Sequence, residues 1–149
     1  FQCNVLAYES LEPALAVCRD RGLSPLDRIR TLLMAYARLL SNDFGACLVL
    51  TQENLLTPES AAVLRENRRR LDVALRDLIE EGQADGSIAP CEPKLASAAI
   101  YGAFNWLPHW RAPEKSPSYD EIATAFVGLL FTGLVAKPAC RDAGSMPQP

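Results

Sequence analysis

Apolar side chains recur at helical spacing along almost the whole chain. The clearest example follows Ser24 and Pro25, which are typical of the cap and first turn of a helix. One apolar stripe, with spacings of three and four residues, is formed by Leu26, Ile29, Leu33, Tyr36 and Leu40. This pattern predicts an amphipathic helix that ends at Ser41-Asn42-Asp43.

The same reasoning predicts about six helices and an all-α fold. Residues 45–50 have the composition of a strand, but we predict a short helix there because the sequence offers no second strand for pairing. The other helices are expected at about 1–21 with a kink or break at Pro13, 58–84 after the cap Thr57, 93–106, and 118–136. We therefore predict one helical domain over residues 1–136 and a flexible tail over 137–149, which is rich in Pro, Gly, Ser and Gln.

The last two predicted helices are apolar on all sides. Only Ser97 and Asn105 are plainly polar between Leu95 and Leu107, and only Thr132 is polar in residues 125–136. A helix at the surface of a monomer has one apolar stripe and one polar face. Because a chain of 149 residues has little room to hide two such helices, we predict a homodimer in which they form an intermolecular four-helix bundle.

Small side chains on these helices would allow close approach between the two chains. We assign to the dimer interface Ala96, Ala99, Gly102, Ala103, Phe126, Leu130 and Gly133. A heterodimer and a well-filled monomer core remain alternatives to the homodimer.

Composition limits the classes of partner. The chain carries 15 Lys and Arg against 18 Asp and Glu, so it has no basic excess that would favour nucleic acid. Its five cysteines are widely spaced and it has one histidine, which fits neither a disulfide framework nor a zinc site. We interpret the thiols as small core residues in a reducing cytoplasm. No signal peptide is evident, and the apolar run 125–136 is shorter than the roughly 18 residues that span a membrane.

The sequence offers no catalytic constellation. It contains neither a nucleophile elbow of the G-x-S-x-G type nor a glycine-rich phosphate loop. Glu81 and Asp85 share a helix face, but a solvated pair at the end of a long helix is the simpler interpretation. We therefore predict that the chain is not an enzyme and has no catalytic residues, no metal site and no cofactor.

The long helix carries a run of basic residues, Arg65, Arg68, Arg69 and Arg70. A solvated face, offset by the neighbouring Glu66 and Asp72, is the simplest interpretation.

A ligand cavity is the best supported candidate site. Asn105 lies in an apolar segment, where its amide must find hydrogen-bond partners. It either bonds across the dimer interface as a specificity device or faces a ligand cavity, and both interpretations stay open. From helix faces we predict as pocket residues Leu33, Met34, Tyr36, Phe44, Leu75, Tyr101, Asn105 and Trp106. The alternative is that these side chains only fill the core.

Several segments resemble the TetR-type transcriptional regulators. Residues 78–88, LIEEGQADGSI, resemble the end of their long helix, where a G-x-x-D/E-G-x-I/L turn leads into a dimerisation helix. Residues 98–106, AAIYGAFNW, look like the A-x-x-G-A-x-N-W pattern of one subgroup. Residues 118–134 are similar to the final helix of these regulators, and residues 1–8 to the helix that follows their DNA-binding unit. The resemblance covers about residues 1–136.

This resemblance implies an effector-binding and dimerisation domain that pairs through its last two helices. It implies a repressor that a small apolar or amphipathic ligand releases from operator DNA, with a hint of acyl or coenzyme A-linked effectors from the subgroup motif. DNA would be read by an N-terminal helix-turn-helix domain. We expect that domain to precede Phe1, because the chain starts without methionine and already at helical spacing. Pro13 departs from the continuous helix that would link the two domains. A ligand-free helical dimerisation or protein-interaction module is the alternative.

Overall fold

The computed structural model describes residues 2–41, 43–109 and 117–133, and within these it leaves out the side chains of residues 43 and 44. The described residues form seven α-helices and no strand, so the predicted all-α fold is confirmed. The helices are α1 Gln2–Glu9, α2 Glu12–Val17, α3 Pro25–Leu40, α4 Asp43–Leu50, α5 Pro58–Ala84, α6 Pro93–Asn105 and α7 Tyr119–Thr132. Two short 3-10 helices cover Glu53–Leu55 and Leu107–His109.

Two predicted boundaries differ from the structure. The first predicted helix is divided into α1 and α2, and Pro13 lies in the first turn of α2, where its missing N–H has no consequence. The predicted break is thus confirmed, and it accounts for seven helices instead of six. The last helix ends at Thr132 and not near Ala136, because Gly133 adopts a φ of +71°. The predicted tail, 137–149, lies outside the described residues.

Side-chain caps begin the helices at the predicted positions. The hydroxyl of Ser24 accepts a hydrogen bond from the amide of Asp27 at 3.1 Å. At the start of α7, the amide of Ser118 donates to the carboxylate of Glu121 at 2.6 Å, and the amide of Glu121 donates back to the Ser118 hydroxyl at 3.2 Å. This reciprocal pair is a capping box, and its hydrogen bonds lower the pKa of Glu121.

The helix α3 runs through the centre of the domain. Its predicted stripe faces inward, with Leu33 wholly buried and Tyr36 and Leu40 nearly so. It packs against α2, α4, α5 and α7, while α6 packs mainly on α5. Leu75 and Leu78 of α5 complete the middle of this core. The arrangement surrounds one end of α3 with α1, α4, α5 and α6, where the candidate site lies.

The turn after α5 matches the motif that the sequence suggested. Gly86 has a φ of +80°, and the amide of Ile88 donates to the carbonyl of Gly82 at 2.8 Å. A Cβ at Gly82 would lie 2.5 Å from Cδ1 of Ile88, so a larger residue at this position would force the isoleucine side chain to shift. This tight turn reverses the chain and places α6 against α5.

The last two helices leave large apolar side chains at the surface. Leu95 and Trp106 are 69% and 57% exposed, and Leu129 and Leu130 are 47% and 41% exposed. Because α7 packs mainly on α3 and α6 mainly on α5, a gap lined by apolar side chains stays open between them. None of the described helices is both long and apolar enough to cross a membrane.

The cysteines only partly follow the prediction that they serve as core residues. Cys18 is buried, and Cys3 and Cys47 are half-buried. Cys91 is exposed on the segment between α5 and α6, so the prediction is wrong for this thiol. Cys140 lies outside the described residues.

Candidate functional site

A cavity of about 290 Å³ lies where α1, α3, α4, α5 and α6 meet, and we call it the tyrosine cavity. Three of the chain's four tyrosines line it. The lining residues are Tyr8, Tyr36, Leu48, Val49, Arg68, Leu71, Asp72, Ala98, Tyr101 and Asn105. Polar groups from α1, α3, α5 and α6 thus face a space whose other walls are aliphatic.

A hydrogen-bond network holds the tyrosines in place. The hydroxyl of Tyr36 donates to Oδ1 of Asn105 at 2.6 Å, and the hydroxyl of Tyr101 donates to the carbonyl of Leu71 at 3.0 Å. The rings of Tyr36 and Tyr101 meet edge to face, with centroids 5.2 Å apart. These contacts join α3, α5 and α6, so a ligand in the cavity would touch three helices at once.

Two charged side chains of α5 also reach the cavity, and each already has partners. Arg68 donates to the carboxylate of Glu53 at 2.6 Å and to the carbonyl of Leu48 at 3.3 Å. Asp72 accepts a hydrogen bond from the buried Ser97 hydroxyl at 2.6 Å and pairs with Arg76 at 2.9 Å. The charges are therefore largely balanced inside the protein, and the cavity is amphipathic.

Burial keeps the phenols of the cavity neutral. Desolvation raises the pKa of Tyr8 to about 12, and the nearby Arg68 guanidinium only partly offsets this effect. Burial likewise raises the pKa of Tyr36 and of Tyr101 well above the ordinary range of tyrosine. At neutral pH all three hydroxyls remain hydrogen-bond donors.

We expect these three phenols to keep their protons in the folded chain well above pH 10. Because their pKa is higher in the folded state, the stability that they contribute is complete below pH 10 and is lost as the pH rises above it. The variant Tyr119→Phe removes the only tyrosine outside the cavity, so absorbance at 295 nm then reports the cavity alone. Ionisation should accompany the loss of circular dichroism. Reversible ionisation near pH 10 in a folded chain would contradict the burial.

The structure brings three of the predicted pocket residues together in this cavity, namely Tyr36, Tyr101 and Asn105. Leu33 and Leu75 are wholly buried in the core, and Met34 is partly buried against it. Trp106 is exposed and its ring lies 4.5 Å from that of His109. The side chain of Phe44 lies outside what the structure describes. Ligand contact by any of these residues stays a prediction.

Sequence reasoning missed several lining residues. Tyr8 precedes Leu11 and Leu15 at spacings of three and seven, so it belongs to their apolar stripe and was recoverable from the pattern. The position of Arg68 in the cavity could not be predicted, because this residue stands within a basic run that is typical of a solvated face. The sequence analysis considered Asp72 only as a charge that offsets the basic run. Its position at the cavity involves a hydrogen bond from Ser97 of α6, which the sequence pattern does not reveal.

Asn105 finds a hydrogen-bond partner within its own chain, while its two interpretations, a ligand contact and a bond across a dimer interface, both stay predictions. Its amide oxygen accepts the Tyr36 hydroxyl within the same chain, and the residue lines the tyrosine cavity. The exposed surface of α6 instead carries small residues such as Ala99, Gly102 and Ala103.

A second cavity of about 380 Å³ lies between α2, α3 and α5, and we call it the arginine cavity. Its walls hold five arginines, Arg19, Arg21, Arg28, Arg69 and Arg70. The basic run on α5 stays solvated, with 39–65% of each side chain exposed, but its members border different cavities. Arg68 enters the tyrosine cavity, Arg69 and Arg70 border the arginine cavity, and Arg65 points to Glu53 at the surface.

An apolar groove of about 430 Å³ lies between α6 and α7. It includes the predicted interface residues Ala96, Ala99 and Leu130, together with Leu33 and Phe131. Of the other predicted interface residues, Gly102, Ala103 and Gly133 are exposed, and Phe126 is half-buried with its ring 5.6 Å from that of Phe104. Dimerisation through this surface stays a prediction.

Several solved structures share this fold. A TetR/AcrR family regulator from Thermobifida fusca is 28% identical, with a TM-score of 0.78 over 90% of this chain and 71% of its own. The TetR family regulator PfmR from Thermus thermophilus is 24% identical, with a TM-score of 0.78 over 91% of this chain and 74% of its own. AibR in complex with isovaleryl coenzyme A and operator DNA is 19% identical, with a TM-score of 0.67 over 86% of this chain and 74% of its own.

Among curated protein sequences, none matches this chain. The sequence profile of the tetracyclin repressor-like, C-terminal domain matches residues 22–134, which is most of the chain. It covers α3 to α7, the helices that supply nearly all of the tyrosine cavity. Ligand binding and homodimer formation are typical of the regulators with this domain. This chain therefore belongs to the TetR family of transcriptional regulators, in which it corresponds to the C-terminal, ligand-sensing domain.

Proposed function

We propose that this chain is the effector-binding and dimerisation domain of a repressor that leaves operator DNA when a small amphipathic molecule occupies the tyrosine cavity. The observation that carries the proposal is the cavity itself, which lies between five helices and presents both hydroxyl and aliphatic groups. One wall comes from α1, the helix that the family resemblance places next to the DNA-binding unit.

The cavity can act on α1 because the chain breaks between α1 and α2. Tyr8 extends from α1 into the cavity, and the buried Asn4 donates to Thr51, just after α4, at 3.1 Å. A ligand that pushes on Tyr8 would therefore move α1 against the rest of the domain without bending a continuous helix. In a dimer this motion changes the distance between two DNA-reading domains, and half-sites at a fixed spacing are no longer matched.

The lining groups favour an amphipathic effector. Leu48, Val49 and Leu71 would cover an apolar body, and Asn105 and Arg68 would meet a carbonyl or carboxylate oxygen. The relative AibR was crystallised with isovaleryl coenzyme A. That precedent and the resemblance of residues 98–106 to one subgroup both support an acyl compound.

We further propose that two chains pair through α6 and α7, whose exposed leucines and small residues are suited to a helical interface. Operator DNA would be contacted by an N-terminal helix-turn-helix domain that precedes this chain, and the regulator would work in the cytoplasm. Peptide mapping of the native protein by mass spectrometry tests the expected N-terminal domain.

Obstructing the tyrosine cavity is expected to abolish effector binding. Ala98 lines the cavity and is itself exposed, so in Ala98→Phe the added ring would stand at the cavity entrance. In Ala62→Phe the same ring stands at an exposed position of α5 that does not line the cavity. We expect isovaleryl coenzyme A or isovalerate, at saturating concentration, to raise the melting temperature of the parent chain and of Ala62→Phe by several degrees and that of Ala98→Phe by less than one.

The outcomes separate the alternatives. A thermal shift that persists in Ala98→Phe would mean that the ligand binds elsewhere. Native mass spectrometry of protein purified from its host would reveal an effector of another class. If neither method detects a ligand, the ligand-free dimerisation module becomes the better description.

A further inference from the structure

The arginine cavity has a charge that contrasts with the chain as a whole. The chain carries a net charge of −3, yet five arginines and only two acidic residues, Asp77 and Glu81, line the cavity. Three of these arginines form ion pairs. Arg28 pairs with Glu81, Arg69 with Glu66 at 2.8 Å and Arg70 with Glu12 at 2.6 Å.

The other two arginines, Arg19 and Arg21, form no ion pair with any of the described residues. Both stand after α2, where the chain turns towards α3, and both line the cavity. They are surface-accessible, so they can move onto a ligand without breaking a contact.

Arg28 also borders the cavity and keeps one hydrogen-bond donor unused. Its side chain is only 4% exposed, and it donates to the carbonyl of Cys18 at 3.0 Å and to the carboxylate of Glu81. Its Nε–H, however, has no hydrogen-bond partner. A buried guanidinium donor is normally satisfied. Because this nitrogen is enclosed by protein, an acceptor in the cavity would reach it only after the Arg28 side chain moves.

We propose that the arginine cavity binds a small phosphorylated molecule, at a site distinct from the tyrosine cavity. Guanidinium groups match the tetrahedral oxygens of phosphate, which accept several charge-assisted hydrogen bonds at once. The cavity also has apolar walls from Leu15, Val73 and Leu78, which would cover an organic group attached to the phosphate. A concave site of about 380 Å³ between three helices suits such a molecule better than the continuous backbone of a nucleic acid.

Calorimetric titration of the full chain with phenyl phosphate and with inorganic phosphate, at constant ionic strength, tests this proposal. We expect saturable binding of both, with phenyl phosphate at least threefold tighter because its ring reaches the apolar walls. The double variant Arg19→Gln/Arg21→Gln should weaken binding at least tenfold. These positions are exposed, so the variant keeps its fold, which circular dichroism verifies.

The matched control is Arg38→Gln/Arg65→Gln, which removes the same charge from exposed positions outside the arginine cavity. It should change affinity by less than twofold. Equal losses of affinity in the two double variants would mean that binding depends only on net charge, and this result would overturn the proposal. The absence of saturable binding would also overturn it. Displacement of phenyl phosphate by a random-sequence DNA duplex would also overturn it, in favour of a nucleic-acid contact.

Discussion

Replacing Phe104 with alanine is expected to lower the free energy of unfolding by about 3–5 kcal/mol. The side chain is wholly buried in the core, and its ring meets that of Phe126 on α7 edge to face, with the centroids 5.6 Å apart. Truncation removes this contact and leaves a cavity that the flanking helices cannot close, because α6 is held by α5 and α7 by α3.

Denaturation by urea, followed by circular dichroism, measures this loss. The midpoint should fall while the denaturant slope stays constant, since the same surface is exposed on unfolding. Leu55→Ala is the control, because Leu55 is 77% exposed and its truncation should cost less than about 0.5 kcal/mol. A loss below about 1 kcal/mol in Phe104→Ala would show that the Phe104 side chain is not enclosed in the core as described.

The second large effect is expected from Leu130→Glu, which should convert a dimer into monomers. Leu130 lies on α7 in the apolar groove and is 41% exposed, and its neighbour Leu129 is 47% exposed. In the proposed dimer a carboxylate at this position would be buried without a partner. That arrangement costs several kcal/mol, and each 1.4 kcal/mol weakens association tenfold, so dimerisation should weaken by at least about 100-fold.

Light scattering at micromolar concentration distinguishes the two states. The parent chain and the control Val63→Glu should both have twice the mass of one chain. Val63 is 43% exposed on α5 and lies outside the groove, so the same charge change there should be harmless. A monomeric parent would refute the dimer, and a dimeric Leu130→Glu would place the interface on another surface.

Local signals in the sequence were sufficient to predict where the helices lie. Caps at Ser24, Thr57 and Ser118 begin three of them at the expected residue, because a side-chain oxygen that satisfies a free backbone amide acts within a few residues. The stripe on α3 faces the core as predicted. The glycine turn after α5 and the family resemblance also depend on neighbouring residues only.

The cavities depend on contacts between residues far apart in the chain. Tyr36 contacts Asn105, which lies 69 positions further along the chain. Tyr8 lines the same cavity from α1, another helix. The positions of the arginines on α5 likewise could not be predicted from neighbouring residues. Consecutive residues of one basic run point into different cavities, since a helix turns about 100° per residue and α5 is covered by different helices on each side.

The sequence by itself thus determined the helical class, most of the helix boundaries and the apolar surface of the last two helices, because these follow from periodicity and capping. Tertiary structure alone decided which polar side chains are enclosed. It placed Arg28 under α2 with one donor unsatisfied and Arg68 beside Tyr8, because enclosure depends on which helices pack over a residue and not on its neighbours in the chain.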